Sequence, residues 1–378
     1  MAIATTTNPA SFDARRAVVF ERLILKTLMI QLRMEQFADK KTEKSKGCLF
    51  VRFFRVQRGA RTAQNLQEGV TNLNNTTVNV GNLDCYLNQR GDDFTITDIV
   101  EATDILDTLK IYSKNIGLNA AIDYDCIIAA SILGNATTNN LAIALGLGGA
   151  QTTLYGSSAG GMNLLGGQGY WERFAGVPNT GNSANDWATL NGLTASQAKF
   201  TRTDNLRAIT QLKTNDVMPP DGNSYPCVVS PSVVFDIRQD QTLVGAMQYR
   251  DNQLLYKWEK FELDGAAFVE STNPWRENAY GTNLGAPSNT GAPGTGNIYA
   301  NLYIGEDAFG TVLIDDKKSG DSPAAPKINI LDKADKSDPY NQRVVGAWKS
   351  YYGSILKLTN DPTDCPHVVA SRVQCTFA

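Results

Sequence analysis

Histidine is almost absent from this chain of 378 residues; His367 stands alone. A Ser–His–Asp or Cys–His catalytic site would have to be built on that one ring, and metal centres that need two or three imidazoles are excluded. The six cysteines, Cys48, Cys85, Cys126, Cys227, Cys365 and Cys375, form no CxxC pair, so no zinc-binding spacing arises. Several lie in apolar runs, such as Cys126-Ile127-Ile128 and Cys227-Val228-Val229. They are expected to be small buried hydrophobes in a reducing compartment rather than a disulfide frame. No uncharged apolar run reaches the roughly 18 residues that a membrane-spanning helix needs. The first ten residues are polar and Thr-rich, unlike a signal peptide. Charge is sparse too: Asp, Glu, Lys and Arg make up 19% of the chain, against an ordinary value of about 25%. Surface that normally carries charge is then partly neutral, as suits a protein that meets other proteins. A net charge of −3 gives no electrostatic signature of a nucleic-acid binder. The basic cluster Lys40, Lys41, Lys44 and Lys46 reads as a solvated hinge or loop, with contact to DNA as the alternative.

What is present is a 42% hydrophobic chain with enough apolar material for a packed core. Ser11 can cap a helix running to about Ala38, with Val18, Leu25, Met29 and Leu32 at helical spacing. Residues 48–57 (CLFVRFFRVQ) and the alternating stretches in 76–99 read as strands, joined by a polar insert at 58–75. That predicts an extended two-stranded arm. From a cap at Thr103 to Gly134 a long helix is expected, about 45 Å at about 1.5 Å per residue. A helix of that length suits a spine. Gly117 inside it predicts a bend or close packing. Residues 134–182 are rich in glycine and read as an insertion-type loop without a core of its own. A helix resumes at Thr203 and is stopped at the latest by Pro219-Pro220. YPCVV (225–229) reads as a buried strand and Ser230-Pro231 as a helix start. FELDGAAFVE (261–270) and IYANLYI (298–304) are strand-like, and alternation returns in the tail from Ile328 to Leu358. Helices and strands do not alternate as regular βαβ units, so the class is α+β.

Little chemistry is carried by these elements. The acidic pairs Asp92-Asp93, Asp315-Asp316 and Glu306-Asp307 are expected to be solvated turn residues, with an interface salt bridge or a divalent ion as alternatives. Gly146-Leu147-Gly148-Gly149 lacks the Lys-Ser/Thr of a phosphate loop. Trp171, Trp275 and Trp348 are expected to be core or interface anchors. No catalytic, cofactor-binding or metal-binding residue is predicted, and the chain is not expected to be an enzyme.

Four segments, in order, resemble a known family. Residues 49–70 end in Gln67-Glu68-Gly69-Val70, similar to a strand followed by an "EGV" extended-loop motif. Residues 84–99 look like the return strand of that loop, and Gly305-Glu306-Asp307-Ala308-Phe309-Gly310 resembles a "G-x-D-A-[YF]-G" element. Asp338-Pro339-Tyr340-Asn341-Gln342-Arg343, followed by Gly346-Ala347-Trp348-Lys349, resembles "D-P-L-N-Q-R…G-W-K". Together these resemble the major capsid proteins of N-four (Enquatro) type bacteriophages, a branch of the Hong Kong 97-like capsid fold. The resemblance spans about residues 12–358.

It implies an N-terminal arm (1–47), an extended β loop (48–97), a peripheral domain with the spine helix and the Gly-rich insertion (98–202), and an axial domain (203–300). Residues 301–378 would return to the peripheral domain and end in a C-terminal tail. It implies a tailed-phage shell subunit, assembling with itself into pentamers and hexamers around double-stranded DNA. An encapsulin-like compartment of the same fold is the alternative. Portal, scaffold or decoration proteins would be its partners, packaged DNA a non-specific neighbour, and no membrane is implied. The protein would be made in the bacterial cytoplasm and reside in the virion. By the same resemblance Glu68, Gly69, Asp338, Pro339, Asn341, Gln342, Arg343 and Trp348 carry assembly.

Overall fold

The computed structural model describes residues 22–24, 26–27, 32–44, 50–56, 68, 80–97, 99, 108–133, 171–174, 199–239, 256, 258–271, 276–278, 297–315, 327–331, 340, 342–358 and 367–375. Two sheets and one long helix make up most of this. The first sheet is built around β13 (Arg343–Leu356), a strand of 14 residues. β4 (Asn88–Thr97) runs antiparallel along one edge of it, from Arg343 to Tyr352. Its other edge is shared end to end by β12 (Lys327–Leu331) and β11 (Phe309–Asp315). β1 (Asp39–Lys44) adds outside β11 in parallel.

Helix α1 (Thr108–Leu133) lies against β13 and β4. Ile116, Ala120, Tyr124, Ile127, Ile128 and Ile132 are all buried. The buried arc is wide because two elements cover the helix: β13 on one side and the incoming N-terminal segment on the other. That segment is fixed by Asp125 of α1, whose buried carboxylate accepts the backbone N–H groups of Met34 (3.2 Å) and Arg33 (3.4 Å). Gly117 resolves in favour of close packing: a Cβ there would stand 2.8 Å from the Ile24 carbonyl oxygen and 3.0 Å from Thr27 Cβ.

The second sheet runs β5 (Trp171–Phe174), β14 (Val368–Gln374), β10 (Asn297–Ile304), β6 (Tyr225–Val229), β8 (Ala266–Glu270), β7 (Glu259–Leu263), with β9 (Arg276–Asn278) also paired to β10. Its central strands are buried on both faces, which is why they read as continuous apolar runs. Along β10, Ala300, Leu302 and Ile304 enter the core shared with α1 and β13, while Tyr299 and Tyr303 enter a second core. That second core lies under α2 (Arg202–Thr214) and α3 (Pro231–Gln239). Thr201 and Asp204 form a reciprocal capping box at the start of α2. The two sheets and α1 thus share one core, with a separate core on the far face of the second sheet.

Several expectations are corrected. Helix does not continue to Ala38: Leu32 and Arg33 have no helical structure, Glu35–Phe37 is one 3₁₀ turn, and Asp39 begins β1. The lysine cluster at 40–44 is therefore strand rather than loop; Lys46 lies outside the described residues. FELDGAAFVE is two strands, since Asp264 (φ 52°) and Gly265 (φ 91°) turn the chain between β7 and β8. Asp-Gly with positive φ at both residues is the hairpin turn whose twist matches its strands. Of the Gly-rich segment only 171–174 are among the described residues, and they form strand β5, parallel to β14. α2 ends at Thr214, with Val217 N–H bonded back to the Leu212 carbonyl, before the prolines act. β10 spans residue 300, and the tail strand β14 lies between β5 and β10 in the second sheet.

Candidate functional site

Strands β2 (Phe50–Val56) and β3 (Val80–Tyr86) form a two-stranded antiparallel sheet of their own, as the alternation predicts. Their inner face is apolar apart from the buried Arg55, whose guanidinium reaches the Asp307 carbonyl at 3.5 Å. Val51, Phe53 and Cys85 are buried against Val312 of β11 and Ile355 of β13. Burial pushes the Cys85 thiol up to about 12, which leaves it an unreactive hydrophobe. The outer face is apolar as well, and it is uncovered: Phe54 is 59% exposed, Val56 66%, Val80 55% and Phe50 41%. Cross-strand pairing places Val56 opposite Val80 and Phe50 opposite Tyr86. Between them Arg52 donates two hydrogen bonds to Asp84, at 2.6 and 2.9 Å. These bonds hold the Asp84 carboxyl below its ordinary range. Exposed pairs of this kind add little stability and act mainly to fix register. A small sheet with one face seated leaves the apolar side chains of its other face in solvent, the kind of patch that marks interaction sites.

A polar cluster lies beneath the seated face. Lys357, just after β13 and 3% exposed, donates to the carboxylates of Asp39 in β1 and Asp307 in the β10–β11 turn. Its ammonium also stands 5.1 Å from the centre of the Phe53 ring. Asp307 takes φ 56°, so its side chain is offered from a left-handed turn.

A second polar feature is a cleft of about 500 Å³ between β4 and α1. Arg90 and Asp123 are paired in it at 2.9 Å. Burial raises the Asp123 carboxyl, and Arg90 opposes that shift. Among the described residues no group of three or more His, Cys, Asp or Glu side chains could hold a metal. Nor is any helix long and apolar enough to cross a membrane among the described residues.

The residues singled out by sequence are dispersed. Trp348 is 3% exposed in β13 and packs edge-on against Tyr124 of α1, their ring centres 5.8 Å apart. Gln342 and Arg343 are exposed at the start of the same strand, and Glu68 is exposed in a turn. Gly69, Asp338, Pro339 and Asn341 lie outside the described residues. Of the acidic pairs, Asp92 and Asp93 lie in β4 opposite Trp348 and Ala347. Glu306 and Asp307 form the β10–β11 turn, and Asp315 ends β11, with Asp316 outside the described residues. The His367 ring sits 2.6 Å from the Glu306 carbonyl oxygen through Nδ1, and the Gly305 N–H donates to the His367 carbonyl. Its role is to hold the turn. Sequence reasoning missed Lys357. A lone lysine in ILKLTN carries no motif, and only its position at a strand end between two apolar residues hinted at burial.

No protein-family model and no curated protein matches the sequence. Solved structures do match. The capsid of Ralstonia phage GP4 is similar over 92% of this chain and 92% of that one, with a TM-score of 0.61 at 10% identity. The capsid asymmetric unit of cyanophage Pam1 covers 90% and 89%, with a TM-score of 0.55 at 12% identity. The capsid of cyanophage P-SCSP1u covers 90% and 88%, with a TM-score of 0.52 at 17% identity. Identities this low speak for architecture alone. With its spine helix, two sheets and seated two-stranded arm, the chain has the Hong Kong 97-like α+β fold found in phage capsid subunits.

Proposed function

We propose that this chain is the major capsid protein of a tailed bacteriophage, a subunit that assembles into pentamers and hexamers and so into the shell around a double-stranded DNA genome. The observation that carries this reading is the match to the Ralstonia phage GP4 capsid across nine-tenths of both chains. The uncovered apolar face of the β2–β3 arm supports it independently, because such a face needs a partner. The motifs at 67–70, 305–310 and 338–349 narrow the proposal to the N-four type. In that scheme residues 1–47 are the N-terminal arm, 48–97 the extended β loop, 98–202 the peripheral domain with the spine helix, 203–300 the axial domain, and 301–378 the return to the peripheral domain and the C-terminal tail. The work is done by geometry rather than catalysis. Repeated heterologous contacts close into a shell when their rotation closes, and each buries apolar area at about 25 cal/mol per Å².

Electron microscopy and analytical ultracentrifugation of the purified full chain test this reading. Pentamers, hexamers or closed shells are expected, with DNA rather than a cargo enzyme in particles taken from infected cells. A chain that stays monomeric at high concentration, with and without a co-expressed scaffold, overturns it.

A further inference from the structure

The strand DKKTEK (β1) contains no apolar residue, and among the described strands its backbone ladder is with β11 alone. Its attachment therefore rests on a backbone ladder and on charge rather than on buried hydrophobic area. Two of its charges act at the seat of the β2–β3 arm. Asp39 binds the buried Lys357 ammonium, which is shared with Asp307. Lys41 donates to the Arg52 carbonyl of β2 at 2.9 Å, and its ammonium lies 4.5 Å from the centre of the Phe53 ring. That ring is the arm's main plug. It is fully buried, with Lys357 5.1 Å from its centre, and Gly310 of β11 is bare to admit it. A Cβ at Gly310 would stand 2.5 Å from the ring. Gly310 is also the residue that pairs with Asp39. The ladder that holds β1 and the socket that holds Phe53 thus meet at one position.

We propose that β1 is a withdrawable strap: while it is docked, Asp39 and Lys41 lock Phe53 in its socket, and when it leaves the sheet the β2–β3 arm loosens. The physical link is the Lys357 ammonium. With β1 in place its donors are divided between two carboxylates. With β1 gone one charged hydrogen bond is lost beneath the ring, and Lys41 leaves the ring as well. A hydrogen bond to a charged group is stronger than one between neutral groups. The N-terminal segment would thereby set how firmly the arm is held. The coupling is internal to one subunit, so it stands or falls separately from the shell assignment.

Hydrogen–deuterium exchange on the full chain tests it, comparing proteins in the same oligomeric state. Asp39→Asn should speed exchange of the amides in 50–56 and 80–86 by about tenfold to a hundredfold. Amides of α1 between 116 and 132 should keep their rates. Adding Lys357→Met to Asp39→Asn should bring the arm back toward wild-type protection, because the buried charge goes with its partner. If Asp39→Asn does not fold, Lys41→Met reads the same coupling, with several-fold faster exchange confined to β2 and β3. Unchanged arm exchange in the variant that folds overturns the proposal. So does acceleration that is equal across arm and spine helix.

Discussion

At Gly117 two opposing effects can be weighed. Glycine in a helix interior is less favourable than alanine by about 1 kcal/mol, so Gly117→Ala ought to stabilise an isolated α1. In the folded chain the added methyl meets the Ile24 carbonyl oxygen at 2.8 Å and Thr27 Cβ at 3.0 Å. Overpacking of that kind costs about 1–3 kcal/mol. Packing wins, and Gly117→Ala is expected to lower the urea midpoint, by a net of about 1 kcal/mol. A midpoint equal to or above wild type would show that the N-terminal segment yields at this crossing. The sequence announced this glycine as a point of close packing or bending; only the partner, Ile24, was out of reach. Trp348 was legible in the same way, as a large anchor in an apolar strand. Lys357 was not, because its burial follows from two carboxylates, Asp39 and Asp307, that are 318 and 50 residues away.

Many whole elements were legible from the spacing or clustering of apolar residues. β2, β3 and β4 alternate, β6 and β10 are apolar runs, α1 is a long stretch of helix formers with apolar residues throughout, and each stands close to where the sequence put it. β1 has no period to read, since DKKTEK is a strand only because β11 offers it a parallel edge. The Asp264-Gly265 turn was readable but was passed over inside an apolar run. The tail strand β14 matched no motif, although Val368, Val369 and Ala370 are apolar enough for the buried place they occupy between β5 and β10. The docked turn before β1 also has a measurable pH behaviour. Burial raises the Glu35 carboxyl above its ordinary value, against the opposing pull of Lys40. Between the ordinary carboxyl pKa and the raised one, the folded protein holds a proton that the unfolded chain has lost. Stability therefore falls as pH rises through that window. Glu35→Gln removes the penalty. It is expected to unfold at higher urea than wild type at pH 7, with the advantage shrinking as the pH approaches 4. Urea midpoints taken along that pH series check this, and an advantage that grows toward low pH would reverse the assignment.

For the whole molecule, the question is why a chain with ample core leaves Phe50, Phe54, Val56 and Val80 in water on one face of a two-stranded arm. Within the subunit they contribute little beyond the Phe50–Tyr86 ring contact and the approach of the Lys41 ammonium to the Phe54 ring. Side chains this exposed can usually be replaced with changes within about ±0.5 kcal/mol. A neighbour that covers them recovers about 1.5–3 kcal/mol for each fully buried side chain. In a shell that gain recurs at every equivalent position, so a small loss per subunit becomes a failure to close. The double variant Phe54→Ser, Val56→Ser is expected to keep the wild-type urea midpoint within about 0.5 kcal/mol. On the proposed shell reading, it should sediment in the ultracentrifuge as free subunits or capsomers under conditions where the wild-type chain sediments as larger assemblies. Reversing the pair as Arg52→Asp with Asp84→Arg retains the apolar face and should leave assembly intact. Shells that form normally from the serine variant would mean that the arm's outer face is not where subunits meet. The contacts would then have to be sought on the exposed side of α1, where Ile111 and Ile122 are each more than two-fifths uncovered.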